Sequence, residues 1–189
     1  MSILNAEQIS AMSFKTVGTN VAISDKASIY NAANISIGSN VRIDDFCVLS
    51  AGVGGIEIGS NIHIAVFSLL IGAGKIKLSD FSNISSRVSI YSSNDDYSGE
   101  FLTNPTVPKE YTGVKCANVF IGRHVIVGSG SVVLPGVRLE DGVAVGALSL
   151  VSKSCEAFVI YAGNPIKKLK KRKRALLELE KHYILKAKL

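Results

Sequence analysis

The chain has no tryptophan, 7% aromatic residues, three histidines, three cysteines and four prolines among its 189 residues. With so few large rings, the core has to be assembled from many thin layers of aliphatic side chains rather than from the bulky interior of a sandwich or bundle. Cys47, Cys116 and Cys155 form no CxxC and no Cys/His pair at zinc spacing. That excludes both a disulfide framework and a zinc ribbon. No uninterrupted apolar run reaches the roughly 18 residues of a membrane helix, and the first residues lack the basic-then-apolar pattern of a secretory leader, which predicts a cytoplasmic protein. An excess of positive charge is missing from the body of the chain. The net charge is +6, yet residues 167–188 carry ten Lys or Arg against Glu178 and Glu180, so the remainder is slightly acidic. A basic tail without interleaved aromatics argues against a nucleic-acid partner.

What the chain does have is a period of six. Ile121, Val127, Val133, Leu139, Val145 and Val151 follow one another without a break. Six matches neither the 3.6 of a helix nor the 2 of an alternating strand, and it is the repeat of a parallel β-helix with one short strand and one turn per repeat. The same spacing recovers Val17, Ile23 and Ile29; Ile37, Ile43 and Leu49; Ile58, Ile64 and Leu70; and Leu78, Ile84 and Ile90 as inward rungs. Four residues after each rung stands a small or β-branched corner residue, including Ala33, Cys47, Val53, Ser68 and Val88. Asn94 is the one misfit. The fold expected is an all-β solenoid of hexapeptide repeats with one long excursion and a C-terminal α-helix.

Three segments interrupt or flank the repeats. Residues 1–16 read as a cap, with Asn5 and Gln8 spaced for a capping box and Leu4 and Ile9 for a hydrophobic staple. The β-helix is expected over 17–158, with residues 95–120 as an excursion. At about 25 residues that segment is too long for a passive loop, and with Tyr97, Phe101, Leu102 and Tyr111 it is too apolar for a linker. It reads as an ordered arm packing on a neighbouring surface. Residues 159–189 read as a basic helix, with Leu169, Leu176, Leu177, Tyr183 and Ile184 forming an apolar stripe.

The rungs, the segment VFIGRHVIVGSGSVVLPGV at 119–137, VAVGALSLVSKS at 143–154 and YAGNP at 161–165 resemble the hexapeptide-repeat acyltransferases, closest to sugar O-acetyltransferases of the galactoside and maltose type. The resemblance implies a left-handed coil, a homotrimer and acetyl-CoA in a groove between subunits. Carried over by register, Ile126, Ser129 and Ala147 would border the pantetheine, and Ser152, Lys153, Lys167 and Lys170 the nucleotide end. The physics of the last group is independent of the resemblance, since lysines are natural point-charge partners for phosphates. Such enzymes place a catalytic histidine just after the third face. The corresponding residues here are Asn94, Asp95 and Asp96.

Acyl transfer needs a proton acceptor and donors for the developing oxyanion. His63 occupies the column of Ala22, Arg42, Asn83, Ile126 and Ala144, which by resemblance borders the groove, so His63 and Asn83 are candidates for base and oxyanion donor. Asp95, with Asp96 beside it, is expected to reach His63 of an adjacent subunit and orient its ring. His124 reads as a turn residue and His182 as a surface residue of the terminal helix. A zinc carbonic anhydrase would need converging histidines, but His63 and His124 fall in different columns, so no metal is expected. The function expected is acetyl-CoA-dependent O-acetylation of a sugar, nucleotide-sugar or lipid-linked sugar in surface-polysaccharide assembly. N-acetylation of an amino-sugar nucleotide is the alternative, since an amine needs less help from a base, and a non-enzymatic scaffold is the third reading. The basic tail adds a possible peripheral contact with an anionic membrane.

Overall fold

A computed structural model describes residues 2–186. Three parallel sheets, each built from every third strand, wrap around one aliphatic core and form a left-handed β-solenoid. The first face stacks strands beginning at Thr16, Ile35, Ile56, Ile76, Val119 and Arg138. The second begins at Val21, Val41, Ile62, Asn83, Ile126, Ala144 and Val159, and the third at Ser28, Val48, Leu69, Ser89, Val132 and Leu150. Like residues stack on like: Ile43 pairs in register with Ile64, and Ile84 with Ile64 and Val127. From Ile37 onward every rung in the six-residue series is buried. Of the first coil's rungs, Val17 is 38% exposed and Ile29 half-buried, because only a short helix lies beyond that coil.

The corner assignments hold on two edges of the triangle, and on the third they hold for Val137 and Cys155 in the last coils but fail in the earlier ones. Cys47, Ser68 and Val88 are buried, whereas Ala33 is exposed and Val53 is 95% exposed. Insertions at this edge push the turn outward. The core is instead completed by Ile35, Ile56, Ile76 and Val119, two residues before the next rung. The turn residues sit in the left-handed region, where Asn20, Asn40 and Asn61 (φ 53 to 58°) form a ladder on the first corner. The Asn20 amide donates to Asn40 at 2.9 Å and that of Asn40 to Asn61 at 3.3 Å. Asparagine tolerates this backbone better than most side chains.

Helix α1 (Ala6–Ala11) begins with the expected capping box, in which the Gln8 amide donates to Asn5 at 2.9 Å and the Asn5 amide to Gln8 at 2.8 Å. The excursion is shorter than expected. Ser93–Asn94 pairs antiparallel with Lys115–Cys116 and closes its base, and Val119 already belongs to the next rung. Within it, Tyr97 is 90% exposed, and Phe101, Leu102 and Tyr111 are also exposed.

The basic segment corrects the expectation of a helix over 159–189. Val159–Ala162 is a further strand of the second face, and Lys167–Lys171 folds back against it antiparallel. Gly163 (φ 110°) lies in the turn between them, in a backbone region where L side chains are strained. Leu169 therefore belongs to a strand, and helix α2 spans Leu176–Lys186; residues 187–189 lie outside the described residues. α2 is held by the Glu180 carboxylate, which accepts from His124 Nε2 at 2.7 Å and from Arg123. Phe81 stacks on His124 at 5.1 Å and meets Tyr183 edge-on at 6.0 Å.

Candidate active site

Backbone pairing aligns Ala22, Arg42, His63, Asn83, Ile126, Ala144, Ile160 and Lys170 in one column on the outside of the second face. From Ala22 to Ile160 each has both neighbours in the chain pointing inward, so its side chain must face out. His63 lies one coil from Asn83, and Asn83 one coil from Ile126, a step of about 4.8 Å. Ile126 is 37% exposed, and Ser129 and Ala147 lie on the adjoining corner, also exposed. Lys170 reaches this column because the hairpin folds back along it, a placement that no single helix would give.

His63 has a carboxylate partner within its own chain. Its Nε2 lies 2.8 Å from Asp44 Oδ2, while Arg42 Nε donates to Asp44 Oδ1 at 2.6 Å. Burial works to raise the Asp44 carboxyl, but hydrogen bonds and charge from Arg42 and His63 outweigh it and hold the group below its ordinary value. Asp44 thus stays ionised and fixes the His63 ring. Sequence reasoning missed this residue. The available signal was its place two residues after Arg42, at the end of the strand stacked against that of His63.

Asn94, Asp95, Asp96, Ser152 and Lys153 gather at a different edge, after the third face. There Asn94, Tyr97, Leu134, Pro135 and Ser152 line a shallow pocket. The Asn94 amide donates to the Asp95 carbonyl at 3.1 Å. Asp96 is 7% exposed and accepts from the Ser98 hydroxyl and the Gly99 amide at 2.9 Å. Burial would raise its pKa, but these bonds and those from the Ser98 and Phe101 amides lower it overall. A carboxylate so stabilised is a poor proton acceptor. The two groups of candidates occupy separate places on one chain, and no contact within the chain joins Asp95 to His63. Lys167 is exposed at the start of the return strand, opposite Ala162.

His124 is nearly buried against Glu180, and His182 is an exposed residue of α2. Burial raises the Cys47 thiol, and pushes that of Cys155 up to about 11, so neither supplies a thiolate near neutrality. Among the described residues no three His, Cys, Asp or Glu side chains converge as a metal site.

This solenoid, with its outward column and basic hairpin, is that of an acyltransferase, and the chain belongs to the hexapeptide-repeat β-helix acyltransferase family. It is 59% identical over 180 residues to a dTDP-4-amino-4,6-dideoxy-D-glucose acyltransferase of Escherichia coli, covering 95% of this chain and 94% of that protein. AntD, an N-acyltransferase from Bacillus cereus, superposes with a TM-score of 0.94 at 46% identity over 100% of this chain and 99% of AntD, in a crystal structure with dTDP and 3-hydroxybutyryl-CoA. A maltose O-acetyltransferase from Clostridium difficile shares the fold at a TM-score of 0.59 and 22% identity, covering 89% and 75% of the two chains. No family model matches the chain.

Proposed function

We propose that the protein is an N-acyltransferase that moves the acyl group of an acyl-CoA, acetyl-CoA in the simplest case, to the amine of a dTDP-amino sugar. The near full-length 59% identity to an enzyme named for that acceptor carries this reading. AntD, with dTDP-4-amino-4,6-dideoxyglucose and coenzyme A bound in a serine variant, supports both halves of it. Of the two acceptor chemistries expected from the sequence, the alternative, N-acetylation of an amino-sugar nucleotide, is better supported than sugar O-acetylation. A putative lipopolysaccharide O-acetyl transferase of Escherichia coli is only 29% identical over 154 residues.

In this reading the neutral amine attacks the thioester carbonyl, the C–S bond breaks, and the proton lost by nitrogen ends on the CoA sulfur. His63, oriented by Asp44, accepts that proton. Asn83, one coil nearer the thioester, donates to the oxyanion. Ile126, Ser129 and Ala147 flank the pantetheine, and Ser152, Lys153, Lys167 and Lys170 meet the phosphates. The protein works as a homotrimer, in which the edge carrying Asn94, Asp95 and Asp96 completes the groove of a neighbouring copy. Asp95 and Asp96 there hold the substrate ammonium before it is deprotonated. We place the enzyme in the cytoplasm, in keeping with its similarity to a biosynthetic acyltransferase.

Incubation with dTDP-4-amino-4,6-dideoxyglucose and either acetyl-CoA or 3-hydroxybutyryl-CoA should release thiol and give a product whose acyl group survives hydroxylamine. An amide resists that reagent and an ester does not. An acyl group lost to hydroxylamine would restore O-acylation, and no thiol release with amino-sugar nucleotides, free sugars or lipid-linked sugars would refute the enzyme assignment.

A further inference from the structure

The second corner of the solenoid carries two phenylalanines that folding does not explain. Phe46 (φ 59°) and Phe67 (φ 63°) occupy left-handed turn positions, which the first corner fills with Asn20, Asn40 and Asn61. Phenylalanine pays for that backbone without the local hydrogen bonding that asparagine offers. The two rings stack at 5.0 Å with an interplanar angle of 14°, and their outer edges stay open, since the residues are 47% and 46% exposed. Phe81, in the equivalent turn of the first corner, is covered by His124 and Tyr183, and Phe158 lies under Arg174 at 4.5 Å. A cation stands at either end of the uncovered pair, with Lys26 Nζ 5.6 Å from the Phe46 centroid and Arg87 Cζ 5.8 Å from that of Phe67. Lys26 lies 3.8 Å from Asp45, whereas Arg87 pairs with no carboxylate among the described residues.

The position of this ridge matters as much as its composition. Phe46, Phe67, Arg87, Gly130 and Leu148 follow one another along one edge, coil upon coil, with Ser129 beside Gly130, tied by backbone bonds from Phe67 to Asp45, Arg87 to Val66, Gly130 to Ser86 and Leu148 to Ser129. The edge adjoins the column of His63 and Asn83. Acyl-CoA, in the reading above, takes the C-terminal half of the edge from Ser129 onward. The acceptor must then approach from the N-terminal half. Three coil steps from Phe46 to Gly130, about 14 Å, match the reach of a nucleoside diphosphate that carries a sugar.

Resting on that reading, we propose that Phe46 and Phe67 hold the pyrimidine base of the acceptor, and that Arg87 meets its diphosphate. The base lies flat across the two ring edges, whose positive rim faces its π cloud. The guanidinium one coil further on is correctly spaced for the phosphates, which leaves the amine beside Asn83 and the thioester. The ridge thus selects a nucleotide-linked acceptor over a free sugar.

The absence of tryptophan provides the probe. In Phe67→Trp, emission from the single indole should be quenched saturably by dTDP alone, with neither sugar nor CoA present. The second variant is Phe46→Asn combined with Phe67→Asn, which installs the residue the first corner already uses in this turn. Its Tm should equal or exceed that of the wild type. Its affinity for dTDP by calorimetry should fall at least tenfold, and KM for the amino-sugar nucleotide should rise to match, with KM for acyl-CoA within threefold. Wild-type affinity for dTDP in the double variant would overturn the proposal while leaving the N-acyltransferase reading intact. A drop in assembly mass in the same variant would also overturn it, by showing that the ridge joins copies of the chain. If the wild type neither binds dTDP nor acylates the amino sugar, both readings fall together.

Discussion

At the scale of single residues, the contact between His63 and Asp44 carries two predictions. His63→Ala should lower kcat by about 10² with KM for acyl-CoA nearly unchanged, the loss expected when a positioned general base is removed; steady-state kinetics with both substrates varied checks it. Asp44 makes a statement about stability. Its folded-state pKa lies below the ordinary 3.8, so its contribution is fully present above that value and is lost as pH falls through the depressed one. Asp44→Asn should therefore be less stable than the wild type at pH 6, and the gap should close as pH falls below 3.8. Denaturant titrations at several pH values would show it, and a gap that persists at pH 2 would contradict it. The sequence placed His63 and Asn83 in the correct column because the six-residue period is rigid enough to count across coils. It could not reveal Asp44 as the partner, because contacts between neighbouring coils depend on how far each turn tilts a side chain.

At the scale of elements, the C-terminal hairpin separates what composition can tell from what it cannot. Lysine and leucine favour helix intrinsically, and KKLKK reads as helix until it meets the open edge of a sheet whose backbone groups need partners. The tertiary demand wins, and Lys170 is delivered to the column of His63 and Asn83 by a strand. Replacing Lys167 and Lys170 together by Ala should raise KM for acyl-CoA while leaving kcat within a few-fold, because a phosphate contact is the same in ground and transition states. Equal KM values would remove both residues from the donor site. The third-edge corners of the earlier coils were misread for a related reason. Insertions such as GVGG at 52–55 lengthen the step from Leu49 to Ile58 to nine residues and redirect the turn, so Val53 points to solvent while Ile56 fills the core.

At the scale of the whole molecule, the exposed apolar residues of the excursion imply assembly. Tyr97, Phe101, Leu102 and Tyr111 project from one chain with little to cover them, and the two groups of site residues meet only if one copy's third edge faces another's second. Light scattering should give a mass near 60 kDa, three chains of 20.1 kDa. Replacing residues 97–112 by a short glycine linker should lower both mass and activity. A monomer that retains full activity would refute the shared site.

A solenoid has one further problem that its coils cannot solve, because each end is a sheet edge onto which another molecule's first coil could stack, and then another, without limit. The return strand Lys167–Lys171 runs antiparallel to the second face and is exposed throughout, with four of its five residues lysine. A parallel newcomer would find the wrong direction and a row of like charges. The same strand that brings Lys170 into the column of His63 and Asn83 thereby keeps a stack of coils from becoming a fibre.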